Sequence, residues 1–584
     1  MAQHFNSNAQ LFILLLLAVV RGAQELFPEF KFWPLAIDII SIYSILYLVG
    51  GYLGFVIKNF SRLPRLLAAW GSTAEARRLL SIIREFSLWL SVGFLGLRIS
   101  RWSSGWRAGW EMRGVDHYHS YFSAAIVCLV IAWALSLPKV QHWLRGVNFT
   151  SGRKLLLYYI FLAAVATILL ILPVSLQPGK ALALIDAAFI VVSAISVTGL
   201  VPVNIAETLS IYGQSLVLFL IQIGGLGIVM LSAGLAAATL RRMSVAHSLL
   251  SKELYDIPDI GNMGQFLTKV FVLTLSLELI GATFLFFSMP ADIPDRLFHS
   301  IFHAVSAFCN AGFSSFPENL EYAPFGGVGM WTVSLLIVFG GIGFPVLIDL
   351  ISSLKPMKRY RSLNANTRLS IWTFLVLFLL GASGIFLMES FSPFANSRSW
   401  LDNLGYSAFY SISSRTAGFN QLPVDQLSMT SIVVIMFMMI IGGSPLSTAG
   451  GLKTTTVAVL AVAAWSNLRG LETPQFGNRS IANKTIMRAL TGLCIYAAVA
   501  VTAILILTIT ESVDPWSLMF EVISAMSTVG LSLGATGDLT MFGKMLVIFL
   551  MMAGRVGLVT FMYAGLGKRQ TQRYKVPQDQ FFVG

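Results

Sequence analysis

The chain has 584 residues, of which 56% are hydrophobic and only 11% charged. A soluble core of that size cannot absorb so much apolar surface, so a soluble enzyme is excluded and a polytopic, all-α integral membrane protein is expected. The net charge of +13 does not point to nucleic acid. Across residues 138–584, 21 lysines and arginines fall in connections on one side of the expected spans and 5 on the other, a positive-inside asymmetry that sets orientation.

Residues 1–146 supply about four spans, near 11–29, 34–57, 79–99 and 118–137. Met1 to Gln10 lacks a basic stretch, so Leu11 to Val20 reads as part of a first helix rather than a signal peptide. Lys58, Arg62, Arg65, Arg77 and Arg78 put the second connection inside, whereas Arg101, Arg107 and Arg113 fall outside, against the rule. Further on, Leu155–Leu176, Ser215–Leu240, Thr268–Met289 and Leu369–Met388 approach or exceed the roughly 20 residues that cross a bilayer.

From residue 150 the pattern repeats. Each unit has a spanning helix, a shorter semi-polar segment, a glycine turn and a closing helix, giving repeats at 150–250, 260–356, 366–468 and 480–584. The turns read Val197-Thr198-Gly199, Asn310-Ala311-Gly312, Thr416-Ala417-Gly418 and Thr528-Val529-Gly530. Their glycines are 113, 106 and 112 residues apart, an even period that argues for internal repetition. Phe189 and Ser193, Phe302 and Ser306, and Phe520 and Ser524 precede their glycines by ten and six residues. Phe409 and Ser413 sit one residue closer to Gly418. The segments before the turns, 183–196, 296–308, 402–414 and 515–527, are half a span long and are expected to dip into the membrane and return.

The closing helices share a glycine block: Ile223 to Gly227, Phe339 to Gly343, Ile441 to Pro445 and Ala553 to Gly557. At its third position three repeats have glycine and the fourth has Arg555. A charge facing lipid at that depth costs about 2.5–3.5 kcal/mol, so Arg555 is expected to face the interior. It reads either as an electrostatic barrier or as a structural group bonded to helix-end carbonyls. In the third repeat Gly442, Gly443, Pro445, Gly450 and Gly451 break the closing helix, and Ser444 and Lys453 add polar groups. This segment is expected to form a loop that gates the path.

A partly dehydrated cation needs oxygens in place of water, and backbone carbonyls from four converging loops can supply them. Glycine suits such a loop because it reaches positive φ and lets backbones approach. The half-helices would aim their negative C-terminal ends at the same cavity. A potassium ion is expected at the carbonyls of Thr198, Asn310, Thr416 and Thr528. Isolated small residues also serve plain helix packing, but four in register argue for the filter.

The motifs Ser413-Ser414-Arg415-Thr416-Ala417-Gly418-Phe419-Asn420 and Gly442-Gly443-Ser444-Pro445 to Thr456, with the four turns and Arg555, resemble the Trk/Ktr/HKT superfamily of potassium transporters. The bacterial Ktr-type membrane subunit is the nearest match, over residues 150–584. The resemblance implies a pseudo-fourfold arrangement and a homodimer in the cytoplasmic membrane. It also implies a cytosolic nucleotide-binding (RCK-type) regulatory ring, with no organic cofactor in this chain. All four filter glycines are present, as in potassium-selective members; relatives with serine in the first loop favour sodium. Leu446 stands where the family usually has glycine, and the N-terminal spans are not part of its common core.

Two other classes fit the sequence less well. A secondary transporter with a midplane site is expected to show inverted halves and intramembrane carboxylates; here the repeats run in one direction and Glu278 is the main acidic residue within a span. Glu278 reads equally as a coupling site or as a packed, hydrogen-bonded group. An enzyme is not expected, since no metal motif or nucleophile elbow occurs, and Cys128, Cys309 and Cys494 show no ligand spacing.

Overall fold

The computed structural model describes residues 151–227, 263–321, 323–353, 363–391, 399–471, 473–476 and 479–557. The N-terminal spans, the C-terminal tail and most of the basic connections expected from sequence lie outside these residues. Helices dominate, joined by one hairpin of two-residue strands, Gln475–Phe476 and Arg479–Ser480, paired antiparallel with Gln475 opposite Ser480.

The order long helix, short helix, turn, closing helix recurs four times along the described chain. First come α1 (Ser151–Ile171), α2 (Leu184–Ser196) and α3 (Ile211–Leu226). Next are α4 (Met263–Ser288), α5 (Arg296–Cys309), α6 (Gly326–Gly341) and α7 (Phe344–Ser353). The third unit is α8 (Ala365–Ser390), α9 (Trp400–Ser413), α10 (Met429–Ile440) and α11 (Thr454–Leu468). The last is α12 (Asn483–Thr510), α13 (Pro515–Ser527) and α14 (Met541–Val556). Apolar stretches of 21, 26 and 28 residues in α4, α8 and α12 exceed the length that spans about 30 Å. The half-helices start and stop within two residues of the sequence expectation.

Local chemistry explains where the closing helices begin. Ser210, Ser428 and Thr540 each accept a hydrogen bond from the backbone N–H three residues on (3.2–3.3 Å), the N-cap that satisfies an orphan donor. Two of these caps are held from the preceding long helix. Glu389 accepts from the Ser428 N–H and hydroxyl (2.9 Å each). Glu511 accepts from the Thr540 N–H (2.7 Å) and hydroxyl (2.6 Å). Asp514 caps α13, with Pro515 at its first position.

Packing joins the units in a fixed order. The phenylalanine repeated on the half-helices does not fill its own unit's core. Phe302 packs in the cluster built from the first unit, with Leu170, Ile190 and Leu220. Phe409 enters that of the second, with Leu285, Phe308 and Leu336. Phe520 enters that of the third, with Ile385, Tyr410 and Ile435. Phe189 enters that of the fourth, with Leu507, Val522 and Leu550. Each unit thus receives the next one's aromatic ring, and the last receives the first. Phe189, Phe302 and Phe520 are fully buried and Phe409 is 3% exposed, so each is worth about 1.5–3 kcal/mol of apolar burial to the join it makes.

Candidate functional site

The four turns share one backbone design. Val197, Asn310, Thr416 and Thr528 adopt φ of +57°, +58°, +73° and +52°, and the glycines two residues on have φ of +95°, +68°, +73° and +97°. A left-handed valine or threonine costs about 1–3 kcal/mol and persists only where surroundings over-determine it. The repeated serine supplies that constraint. The carbonyls of Ser193, Ser306 and Ser524 accept from Thr198, Ala311 and Val529 at 2.8 Å, and that of Ser413 from Ala417 at 2.9 Å. Their hydroxyls then hold the glycines' surroundings. Ser193 and Ser524 accept from the N–H of Gly199 (3.0 Å) and Gly530 (3.1 Å). Ser306 and Ser413 donate to the carbonyls of Phe313 and Phe419. The third unit makes the same bonds with one residue fewer.

Contacts between the turns close a ring. A Cβ on Gly199 would meet the Ala311 carbonyl oxygen and Gly312 Cα (3.1 Å). One on Gly312 would meet the Ala417 oxygen and Gly418 Cα (2.9 Å). One on Gly418 would meet the Val529 oxygen and Gly530 Cα (3.1 Å). One on Gly530 would meet the Thr198 oxygen and Gly199 Cα (3.1 Å). The order matches that of the aromatic joins.

This register adjusts the carbonyl set read from sequence. Thr198 is level with Ala311, Ala417 and Val529, whereas Asn310, Thr416 and Thr528 are level with Val197. The set Thr198, Asn310, Thr416 and Thr528 therefore spans two levels. The hydroxyls of Thr416 and Thr528 are buried with no hydrogen-bond partner among the described residues, an unfilled acceptor capacity suited to a cation.

The closing helices pack directly beneath. Gly224, Gly340 and Gly554 lie against the carbonyls of Ile195, Phe308 and Met526, near the last turn of each half-helix, with no room for a side chain. Gly227, Gly343 and Gly557, three residues further on, have φ of +73°, +98° and +88°, and each helix stops there. In the second unit the chain bends by 102° between α6 and α7. That bend was not foreseen; Pro345 just after Gly343 was the available signal, since proline favours a first helical turn.

In the third unit the break becomes a loop between Ile441 and Lys453. Gly450 abuts the Thr528 side chain and Gly451 abuts Ser527, so the loop lies against the fourth turn. Ser444 N and Thr448 N donate to the carbonyls of Gly341 (3.0 Å) and Gly340 (3.2 Å), and Phe344 N donates to Leu446 O (3.0 Å). The loop is therefore bonded to the bend of the second unit. It is closed on itself by Gly442 N to Leu452 O (2.9 Å), Thr454 N to Gly443 O (3.0 Å) and the Ser444 and Thr454 hydroxyls, 3.2 Å apart. Lys453 Nζ donates to Ala449 O (2.7 Å). Leu446 takes φ +55°. Arg555 donates to Thr448 O on this loop and to Gly224 O and Gly225 O at the end of α3. Its guanidinium thus ties the loop to the first unit.

Two further polar clusters lie outside the turn residues themselves. Gln222 Nε2 donates to Glu278 Oε2 (3.1 Å), with Cys309 Sγ 3.6 Å from Gln222 Oε1. Arg415, counted by sequence with the outer connections, is 5% exposed and stacks over Phe374 of α8 at 4.0 Å. No group of three or more His, Cys, Asp or Glu positioned to hold a metal occurs among the described residues.

Comparison with known proteins places this geometry. Residues 120–568 match the TrkH family, described as cation transport proteins; the match begins inside the fourth N-terminal span expected from sequence. The chain is 34% identical over 464 residues to the Ktr system potassium uptake protein B of Bacillus subtilis (strain 168), covering 77% of this chain and 100% of that one. It is 34% identical over 428 residues to the potassium/sodium uptake protein NtpJ of Enterococcus hirae, covering 71% and 93%. The potassium transporter TrkH from Vibrio parahaemolyticus has a crystal structure of the same fold, with a TM-score of 0.61 at 19% identity over 83% of this chain and 98% of that one. These relatives are cation transporters, and this chain is not an enzyme. The chain belongs to the TrkH family of cation transport proteins.

Proposed function

We propose that this chain mediates potassium uptake across the cytoplasmic membrane through a selectivity filter made by its four turns in a pseudo-fourfold arrangement. The observation that carries the reading is the closed ring of glycine contacts, first turn to second, third, fourth and back to first. Four backbone oxygens at one level, those of Thr198, Ala311, Ala417 and Val529, replace an alkali ion's water, and the level of Val197, Asn310, Thr416 and Thr528 forms a second coordinating layer. The half-helices end at these turns and lend their negative C-terminal dipoles. Beneath the filter, the loop holding Gly442, Gly443, Ser444, Gly450, Gly451 and Lys453 is the gate, and Arg555 latches it. The boundaries 150–250, 260–356, 366–468 and 480–584 are its four functional repeats. On the resemblance of its motifs to the Ktr-type membrane subunit, the chain works as a homodimer on a cytosolic ring of nucleotide-binding regulatory subunits.

The test is uptake in a strain lacking its own potassium systems, comparing potassium, rubidium and sodium. Gly199→Ser, Gly312→Ser and Gly418→Ser are each expected to lower the potassium preference. Unchanged preference in all of them contradicts the filter. A sodium-permeable transporter of the same family is the second reading, favoured by the potassium/sodium uptake protein among the relatives; equal potassium and sodium uptake by the unaltered chain selects it.

A further inference from the structure

Three of the four half-helices carry a polar side chain at one shared position, facing the chain that follows the turn. It lies nine residues before the glycine in the second and fourth units, at His303 and Glu521, and eight before it in the third, at Tyr410. All three are fully buried. His303 Nε2 is 3.0 Å from Ser314 Oγ, and Ser314 Oγ accepts from Phe316 N at 3.0 Å. Glu521 Oε1 accepts from Ser532 Oγ (2.6 Å) and from the Thr536 hydroxyl, and Ser532 Oγ accepts from Gly534 N at 2.9 Å. Ser314 and Ser532 both stand two residues past their glycine, and Phe316 and Gly534 four past it. Two units that are not neighbours in the ring thus contain the same chain of bonds, from half-helix to serine to backbone. In the third unit Tyr410 OH bonds the carbonyl of Leu422, four past Gly418 (2.5 Å). In the first, Ile190 and Val201 occupy the corresponding places, so no such bond can form.

The segment immediately outside a filter turn decides how far its carbonyls can move. A buried side chain that binds this segment from behind sets the diameter available to an ion without touching the ion. We propose that His303 and Glu521 are paired positioning residues for ion discrimination, holding the outer halves of the second and fourth turns from non-adjacent places in the ring. The inference rests on the filter reading above.

Potassium and sodium uptake by the full-length protein, in cells lacking their own potassium systems and at matched membrane abundance, tests it. Glu521→Ala leaves the Ser532 and Thr536 hydroxyls without their acceptor, and the potassium-to-sodium uptake ratio is expected to fall roughly tenfold. Glu521→Gln keeps an acceptor oxygen in place and is expected to retain the ratio. Thr536→Val removes one donor to Glu521, and Ser314→Ala removes the hydroxyl that joins His303 to Phe316 N; both are expected to lower the ratio while leaving the maximal rate within about twofold. If Glu521→Ala does not reach the membrane, these two variants decide. Gly530→Ser serves as the control. Should it alter the ratio while Glu521→Ala, Thr536→Val and Ser314→Ala leave it unchanged, the positioning role is overturned and the filter stands. Should Gly530→Ser alter neither rate nor ratio, the filter reading falls and this inference with it.

Discussion

At the turns the four units share one backbone design: a left-handed residue, a glycine two further on, and a serine carbonyl bonded to the residue between. In the closing helices the same four units diverge. The first closing helix stops at Leu226, the second bends by 102°, the third opens into a loop and the fourth places Arg555 among the others' carbonyls. Coordination of one ion by several carbonyls requires equivalent positions, and that equivalence must survive in every copy. A switch requires the opposite, since one element has to move while the rest hold still. The repeated half of the molecule suits selection, and the divergent half suits gating.

Adding a side chain to the repeated half should have the largest effect. Gly418→Ala would set a Cβ against the Val529 oxygen and within 3.2 Å of Gly312 Cα, at a φ of +73° that alone costs about 1 kcal/mol or more for a non-glycine residue. Loss of measurable potassium uptake with the protein still in the membrane is expected; near-normal uptake would break the equivalence of the turns. Next comes the latch on the divergent half. Arg555→Ala removes the tie between Thr448 and the end of α3, so unregulated uptake should rise severalfold. Arg555→Lys should restore only part of the control, since an ammonium cannot reproduce the guanidinium's fork. Equal uptake in all three would show that the loop is held by its backbone bonds alone.

Leu446 offers a smaller and opposite change. Its φ of +55° makes glycine the less strained residue, and Leu446→Gly should stabilise the present loop by about 1 kcal/mol. Uptake should then fall by up to about fivefold; a rise would mean that the leucine side chain, not its backbone, controls the loop. The smallest expected effect is at the outer mouth. Partial burial, with the neighbouring Glu318 and Asp425 carboxylates, pushes Glu321 up to about 6, against the pull of the Asn420 amide. Above that pH the carboxylate attracts cations, and below it the charge is lost. The KM for potassium should therefore rise, by about twofold at low salt, as external pH falls through 6. Glu321→Gln should flatten that dependence.

The sequence displayed the repeated half far better than the divergent half, for a physical reason. A backbone turn that needs left-handed geometry, a glycine and a bracing serine leaves all three in the chain at fixed spacing, and Ser193, Ser306, Ser413 and Ser524 mark it four times. The destination of Phe189, Phe302, Phe409 and Phe520 was not legible, because an aromatic ring on a short helix fits its own core as well as a neighbour's. The level of each carbonyl needed coordinates, because Thr198 stands one residue before its glycine and Thr528 two before its own. The third helix broke visibly because Pro445 joins a glycine cluster, while the second concealed its bend among glycines that equally suit close packing. Arg555 was legible as an interior charge, and its tie between loop and first unit needed coordinates.

The claim beneath all of this is that the four turns surround one ion path. Rubidium, a potassium analogue with strong anomalous scattering, can be located directly in crystals of the protein grown or soaked in its salt. Anomalous density on the line enclosed by the carbonyls of Thr198, Ala311, Ala417 and Val529 is the predicted result. Rubidium bound reproducibly elsewhere, with none between those four oxygens, would contradict it.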